Sequence, residues 1–253
     1  MDIVMIGSGN VAGVLGRKFT AAGHKIIQVV SRNAAAASEL AYEWDTESAN
    51  YMSLINKQAD IYVIAVSDNA LVEVVADLKL PGKVVAHTAG SVSKDVLKNV
   101  TDHYGVFYPL QSIRKDISYL PDIPIYYEAS DDKTAAILRK LAGSVSSKPP
   151  HIADGNDRLK LHVAAVIVNN FTNHLYALAE QFCVKEHIDF RQLIPLIEET
   201  VQRLNTSSPA DTQTGPAMRN DEQTLQKHLD ILTDHPHLKN VYTFLTESIK
   251  QMK

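Results

Sequence analysis

The first 150 residues alternate between two hydrophobic patterns. Continuous apolar runs at residues 3–6 and 61–66, the second of them directly after Asp60, are typical of strands that are buried on both faces of a parallel sheet. After the first run, apolar residues between positions 11 and 19 follow at helical spacing, and helices are also predicted at residues 34–44 and 70–78. This alternation of strand and helix predicts an α/β fold with a doubly wound, mostly parallel sheet.

The pattern changes at Pro149-Pro150, beyond which no convincing strand pattern is visible. Residues 153–185 carry apolar side chains at mixed spacings of three and four, which predicts one long helix of around 30 residues. Further helices are predicted at residues 189–204, 221–232 and 236–249. We therefore predict two domains, a sheet domain over residues 1–150 and an all-α domain over residues 151–253.

The composition is that of a globular protein and argues against several classes of function. Of 253 residues, 45% are hydrophobic and 21% are charged, and the net charge of −4 gives no electrostatic case for binding nucleic acid or an anionic membrane. No apolar run approaches the ~18 residues of a membrane span and no signal-peptide pattern is visible, so we expect a cytoplasmic protein. The lone cysteine, Cys183, permits neither an internal disulfide nor a thiolate zinc site, and we predict no metal site.

A glycine motif, Gly7-Ser8-Gly9-Asn10-Val11-Ala12, lies between the first predicted strand and the first helix. In this position Gly7 would allow a tight turn, Gly9 would let a pyrophosphate approach the backbone, and Ala12 would let the helix pack closely on the strand. The free N–H groups at the start of the helix would face the anion. The motif predicts a Rossmann-type dinucleotide site, and the alternative is a turn that needs glycine for its geometry alone.

The end of the second strand distinguishes between the two nicotinamide dinucleotides. Sites that prefer NAD usually place a carboxylate there to hold the ribose 2′-hydroxyl. This chain instead has Ser31 and Arg32, and a guanidinium can grip a 2′-phosphate with two hydrogen bonds. We therefore predict NADP(H) as the cofactor, the alternative being that Arg32 is an ordinary surface residue.

Two further strand ends deliver small and polar residues to the same edge of the predicted sheet. Val66-Ser67-Asp68 ends one of them, and His87-Thr88-Ala89-Gly90 ends the next. Val66, Ser67, Asp68, Thr88 and Gly90 are expected to line the cofactor site, although Asp68 could equally be the N-cap of the following helix. His87 is a candidate proton donor, or it hydrogen-bonds a neighbouring loop.

A polar stripe runs along the long predicted helix. At ~100° per residue, His162 and Asn169 fall about 20° apart on the helical wheel, Asn173 lies a turn further, and His162 and Asn170 are about 80° apart. His162 is a candidate donor for the proton that accompanies hydride transfer, with Asn170 holding the substrate oxygen. Alternatively, these residues satisfy one another inside the helical domain.

The motifs together resemble a known family. They are the glycine motif, Val66-Ser67-Asp68, His87-Thr88-Ala89-Gly90-Ser91, Tyr108-Pro109-Leu110-Gln111, Leu161-His162-Val163-Ala164-Ala165, Asn169-Asn170 and Thr214-Gly215-Pro216-Ala217-Met218-Arg219-Asn220-Asp221. Over essentially its full length, the chain resembles bacterial Rossmann-like NADP oxidoreductases that have a helical C-terminal domain of unknown function. More distantly, it is similar to deazaflavin-dependent NADP reductases, pyrroline-5-carboxylate reductases and 6-phosphogluconate-type dehydrogenases.

The resemblance implies a nicotinamide site between the two domains and a homodimer formed through the helical domain. Several β-hydroxyacid dehydrogenases carry Lys-x-x-x-Asn in the long helix, with the lysine as acid/base. This chain has Lys160, but the position four residues later, where the motif has asparagine, is Ala164. We therefore assign that role to no lysine.

We therefore expect an NADP(H)-dependent oxidoreductase that transfers a hydride to or from a small carbonyl, imine or hydroxy substrate in the cleft between the domains. The alternative is a nucleotide-binding regulatory or scaffold protein without turnover.

Overall fold

The computed structural model describes residues 1–116 and 119–252, so the last residue of the predicted helical domain, 253, lies outside the described residues. The strands are β1 (Asp2–Ile6), β2 (Lys25–Val30), β3 (Glu47–Ala49), β4 (Ile61–Ile64), β5 (Val84–His87), β6 (His103–Pro109), β7 (Ile125–Ala129) and β8 (His151–Ile152). The α-helices are α1 (Asn10–Ala21), α2 (Ala34–Glu43), α3 (Asp68–Ala76), α4 (Asp132–Val145), α5 (Gly155–Ala165), α6 (Thr172–Lys185), α7 (Ile194–Arg203), α8 (Pro216–Arg219), α9 (Glu222–Ile231) and α10 (Pro236–Lys250).

The strands form one sheet in the order β3-β2-β1-β4-β5-β6-β7-β8. Neighbouring strands are parallel except β6 and β7, which are antiparallel. The chain runs from β1 outwards to β3 and then crosses back to β4, so the winding reverses between β1 and β4. In parallel sheets, ligands bind beyond the carboxyl ends of the strands at such a point. The predicted α/β fold class is confirmed.

The sheet is covered by helices on both faces, which explains the continuous apolar runs of its central strands. Ile3 and Met5 of β1 belong to a buried cluster with α1 and α4, whereas Val4 and Ile6 point to the opposite face and pack in a cluster with α3. Each of these four side chains has an exposed fraction of 0%. A strand buried on both faces has no polar positions to alternate with apolar ones.

The elements differ from the sequence pattern at several points. The helix after β4 begins at Asp68 with Ser67 as its N-cap, so the alternative interpretation of Asp68 as the N-cap is wrong. The two-residue strand β8 was not expected, because an element of this length has no periodicity to detect. The long helix contains a π-helical segment at Val166–Phe171 between α5 and α6.

By internal contacts the chain divides into two compact units, Met1–Asn169 and a helical unit that begins at Asn170. The predicted domain change at residue 150 precedes this division, because α5 is anchored to the sheet by the buried side chain of Arg158. In the helical unit, Pro195 and Pro236 lie in the first turns of α7 and α10, and the Asp221 side chain caps α9. Among the described residues, no helix is both long and apolar enough to cross a membrane.

Candidate functional site

A cleft of about 580 Å³ opens at the carboxyl ends of β1, β2, β4 and β5. It brings together every residue predicted to bind the cofactor except Ala12, which lies buried where α1 packs on the sheet. The predicted residues that line it are Gly7, Ser8, Gly9, Asn10, Val11, Ser31, Arg32, Val66, Ser67, Asp68, Thr88 and Gly90.

Gly7 forms the tight turn between β1 and α1. Its φ angle is +117°, and a Cβ atom at this position would lie 2.2 Å from the carbonyl oxygen of Ala65. Its backbone N–H donates to the carbonyl of Val30 at 2.8 Å. The turn therefore excludes any side chain, as expected where the backbone is pressed against the neighbouring strand.

Gly9 leaves open space in front of helix α1. It is the N-cap of α1 and supplies no side-chain cap, and a Cβ atom there would meet nothing within 4 Å. The first N–H groups of a helix have no partners within the helix, and the helix dipole favours an anion beside them. The cleft thus has the features of a pyrophosphate site, namely free donors and room for close approach.

The side chains around this turn are already held in place. Ser8 Oγ lies 2.9 Å from Ser31 Oγ, which joins the glycine turn to the end of β2. The Asn10 amide oxygen accepts a hydrogen bond from the backbone N–H of Lys115 at 3.2 Å, and Arg17 donates to the Lys115 carbonyl at 2.6 Å. Asn10 therefore tethers the segment that follows β6 to the start of α1.

Arg32 lies at the rim of the cleft and pairs with Glu73 of α3. The distance between Arg32 Nη1 and Glu73 Oε2 is 2.6 Å, and the two side chains are 62% and 69% exposed. An ion pair this exposed contributes at most about 1 kcal/mol. The guanidinium can therefore leave Glu73 for a bound phosphate at little cost.

His87 is fully buried at the end of β5. The Ala89 N–H donates to its Nδ1 at 3.2 Å, so Nε2 carries the proton and donates to the Ser93 carbonyl at 3.3 Å. The pKa of His87 is lowered to about 4, mainly because the side chain is buried, and the positive charge of Arg158 lowers it further. The proton-donor role of His87 stays a prediction, and the geometry favours its alternative, in which this histidine ties the loop after β5 together.

Because the pKa of His87 is about 4 in the folded chain and 6.5 ordinarily, the unfolded chain binds this proton more readily. The stabilisation that comes from keeping His87 neutral should therefore be fully present above pH ~6.5. The free energy of unfolding should fall by about 3 kcal/mol as the pH drops to ~4. We expect His87→Gln to remove most of this slope in urea titrations across that range. Since His24 and the carboxylates remain in both proteins, an identical slope in the variant would show that His87 does not cause the loss.

Next to the cleft, polar groups of the loop after β5 hydrogen-bond to α3 and to the end of β4. Ser91 donates a short hydrogen bond to the carboxylate of Asp68, and the Thr88 N–H donates to the Ile64 carbonyl at 3.0 Å. Asp68 itself is exposed. These contacts hold the ends of β4 and β5 together at the edge where the sequence predicts residues that line the cofactor site.

Tyr108, which sequence reasoning assigned no role, lies directly behind Gly90. Its side chain is 7% exposed, and its Oη lies 3.3 Å from the place that a Gly90 Cβ atom would occupy. The same Oη is 3.3 Å from Nδ1 of His162 on α5. Burial, and to a smaller extent Asp68, raises the pKa of Tyr108 above its ordinary value. The sequence feature that could have identified Tyr108 as a site residue is its position near the end of β6, the strand next to that of His87.

A cluster of three charges, built around the buried Arg158 and the partly exposed Glu128 and Lys94, anchors the start of α5. Arg158 is fully buried and donates to the carboxylate of Glu128, to the Ala153 carbonyl at 3.1 Å and to the Val92 carbonyl at 3.0 Å. Lys94 pairs with the other carboxylate oxygen of Glu128 at 2.6 Å. His162 follows Arg158 by one helical turn, so this cluster fixes the part of the helix from which His162 projects.

The predicted polar stripe is only partly retained. His162 and Asn169 are both exposed, and the π-helical segment between them departs from the regular 100° per residue on which their alignment was based. Asn170 and Asn173 belong to the helical unit and are exposed within it. The predicted contact between Asn170 and the substrate oxygen stays a prediction.

Comparisons with known proteins place the chain in a family. The profile described as NADP oxidoreductase, coenzyme F420-dependent, matches residues 2–90, and that of a domain of unknown function, DUF2520, matches residues 123–249. A Bacteroides fragilis protein described as a putative NADP oxidoreductase is 37% identical, with 99% of this chain and 98% of that one covered and a TM-score of 0.90. The chain belongs to this family of Rossmann-fold NADP oxidoreductases with a DUF2520 domain, which confirms the predicted resemblance and NADP(H) as the cofactor.

More distant structures share the fold. A 1-pyrroline-5-carboxylate reductase of Streptococcus pyogenes has a TM-score of 0.65 at 16% identity, covering 99% of this chain and 98% of that one. A reductive aminase of Aspergillus terreus, solved with NADPH and ethyl-5-oxohexanoate, has a TM-score of 0.70 at 16% identity, covering 99% and 97%. None of the curated proteins compared with the chain matches it.

Proposed function

We propose that this chain transfers a hydride between NADP(H) and a small carbonyl, imine or hydroxy substrate, and that His162 supplies or takes up the accompanying proton. The observation that carries the proposal is the chain of contacts from the cofactor cleft to a histidine. Gly90 lines the cleft, Tyr108 packs directly behind Gly90, and the Tyr108 hydroxyl meets the His162 imidazole. The reductive aminase solved with NADPH and a keto ester supports this substrate class through its shared fold.

The residues of the chain divide the work between binding and proton transfer. The free N–H groups at the start of α1 would hold the pyrophosphate, with Arg32 and Ser31 at the 2′-phosphate. Bound NADP(H) supplies or accepts the hydride. His162 would give a proton to the substrate oxygen or nitrogen during reduction, and Asn170 would hold that atom by a hydrogen bond.

Replacing His162 with alanine tests the chemical part of this proposal. General acid–base catalysis typically contributes 10²–10⁴-fold, so we expect His162→Ala to lower kcat by about that factor and to leave the NADPH dissociation constant unchanged. The measurement is NADPH oxidation, followed at its absorbance band, over a panel of carbonyl and imine substrates. His151→Ala, which removes an exposed histidine of β8, is the matched control. Full turnover in His162→Ala would exclude His162 as the donor.

Replacing Arg32 with alanine tests the 2′-phosphate site. Hydrogen bonds to charged groups contribute about 1.5–3 kcal/mol, so we expect NADPH affinity to fall by about tenfold or more and NADH affinity to stay the same. Arg191→Ala is the matched control, because this exposed arginine pairs only with the nearby Asp189 among the described residues. Equal losses for NADPH and NADH would remove the role assigned to Arg32.

The helical unit supports a further part of the proposal, a homodimer. It exposes many large apolar side chains, and apolar surface of this kind marks an interaction site where it is contiguous. Light scattering at twice the chain mass is the expected result, and the mass of a single chain would exclude the dimer. Among the exposed apolar residues of the helical unit are Phe171, Val184, Leu196, Val201 and Phe244.

The cytoplasmic location that we expect from the sequence stays a prediction.

A further inference from the structure

Tyr108 is held more firmly than the histidine it contacts. Its ring is buried against Gly90, where Cε2 and Cζ lie 2.9 Å and 3.1 Å from the place that a Cβ atom would occupy. Its backbone pairs with Tyr126 of β7 within the sheet. The Tyr108 hydroxyl therefore has a fixed position, whereas His162 is exposed apart from this contact.

Proton transfer from His162 requires a particular arrangement of its two ring nitrogens. The contact with Tyr108 is made by Nδ1, which leaves Nε2 as the nitrogen that can exchange a proton with substrate. For the charged ring to lose its Nε2 proton, Nδ1 must keep its own proton and donate it to an acceptor. The Tyr108 oxygen is an acceptor at this distance, and the raised pKa of its hydroxyl keeps it neutral throughout.

We propose that Tyr108 is a positioning residue that accepts the Nδ1–H of His162 and so presents Nε2 to the substrate. This inference rests on the proposed function, since it assigns the direction of the hydrogen bond from the role of His162. During reduction the hydride passes from the cofactor to the substrate carbon, and the Nε2 proton passes from charged His162 to the substrate oxygen or nitrogen. Neutral His162 then retains its Nδ1–H bond to Tyr108, and Tyr108 gains and loses no proton.

The direct test is the tautomer of His162, read from ¹⁵N–¹H correlations of the full-length protein at about pH 9, where an ordinary histidine is neutral. The expected result is the Nδ1–H tautomer in the wild type and a shift to Nε2–H, the form that free imidazole side chains favour, in Tyr108→Phe. A wild-type spectrum with Nε2–H would overturn the proposal whether or not the variant folds. This readout does not depend on turnover, so it can fail while His162→Ala still abolishes activity.

The kinetic test separates positioning from packing. Tyr108→Phe keeps the ring against Gly90 and removes only the hydroxyl, so we expect kcat to fall about tenfold with little change in KM or in the NADPH dissociation constant. Tyr127→Phe is the control, because it removes the hydroxyl of a similarly buried tyrosine on β7. Unchanged kcat in Tyr108→Phe, or an equal loss in both variants, would contradict the role of the Tyr108 hydroxyl. Loss of activity in His162→Ala with normal activity in Tyr108→Phe would leave the proposed function intact and reject this inference alone.

Discussion

Glu128→Ala is expected to lower the free energy of unfolding by about 3–5 kcal/mol, the range measured when one partner of a buried ion pair is removed. Arg158 has an exposed fraction of 0%, and Glu128 is the carboxylate that neutralises it. After the substitution the guanidinium would keep only its bonds to the Ala153 and Val92 carbonyls, and its Nε already has no partner among the described residues. The free-energy penalty of keeping the Arg158 charge buried without a counterion is larger than the attraction lost with Glu128.

Urea denaturation measures this change. Glu199→Ala is the matched control, since Glu199 forms an ion pair with Arg203 along α7 in which both side chains are about half exposed. Exposed pairs of this spacing contribute only about 0.3–0.5 kcal/mol. If the two variants lost similar stability, the cluster around Arg158 would not anchor α5 as the structure indicates.

Gly9→Ala is expected to weaken NADPH binding by at least tenfold, about 1.4 kcal/mol, while leaving the stability of the chain without cofactor nearly unchanged. The added Cβ atom meets no protein atom within 4 Å, and the φ angle of Gly9 is −82°, which alanine adopts freely. The methyl group would instead occupy the space in front of α1 that a pyrophosphate needs. A loss of binding without a loss of stability distinguishes a ligand site from a turn that needs glycine for geometry.

Calorimetric titration with NADPH and thermal unfolding of each variant provide the comparison. Gly143→Ala in α4 is the control, because its Cβ atom also meets nothing within 4 Å and it lies outside the cleft. The control should bind NADPH as the wild type does. Normal NADPH affinity in Gly9→Ala would mean that the glycine motif serves architecture alone.

The cofactor cleft could be predicted from the sequence because its parts are local. The glycine turn, the end of β2 and the ends of β4 and β5 are each short runs in which a strand leads directly into its polar residues. In a parallel sheet such ends meet at one edge whatever the details of packing. Twelve of the thirteen predicted cofactor residues therefore line one cleft, and Ala12 lies where its predicted packing role requires.

The remainder of the site depends on side chains that are far apart in the sequence. Tyr108 and His162 are 54 positions apart, and Arg158 and Glu128 are 30 apart on different elements. No local pattern reports which of these side chains meet. The burial of His87 likewise depends on the loop that folds over it. A helical wheel assumes a regular 100° per residue and therefore cannot show the π-helical segment.

We expect the glycine turn to bind NADP(H) and Arg32 to recognise its 2′-phosphate. The most direct test is calorimetric titration of the wild-type chain with NADPH and, separately, with NADH. We expect saturable binding of NADPH with a dissociation constant at least about tenfold below that of NADH. Binding of neither dinucleotide would contradict it, and the interpretation of the cleft as a cofactor site would then have to be abandoned.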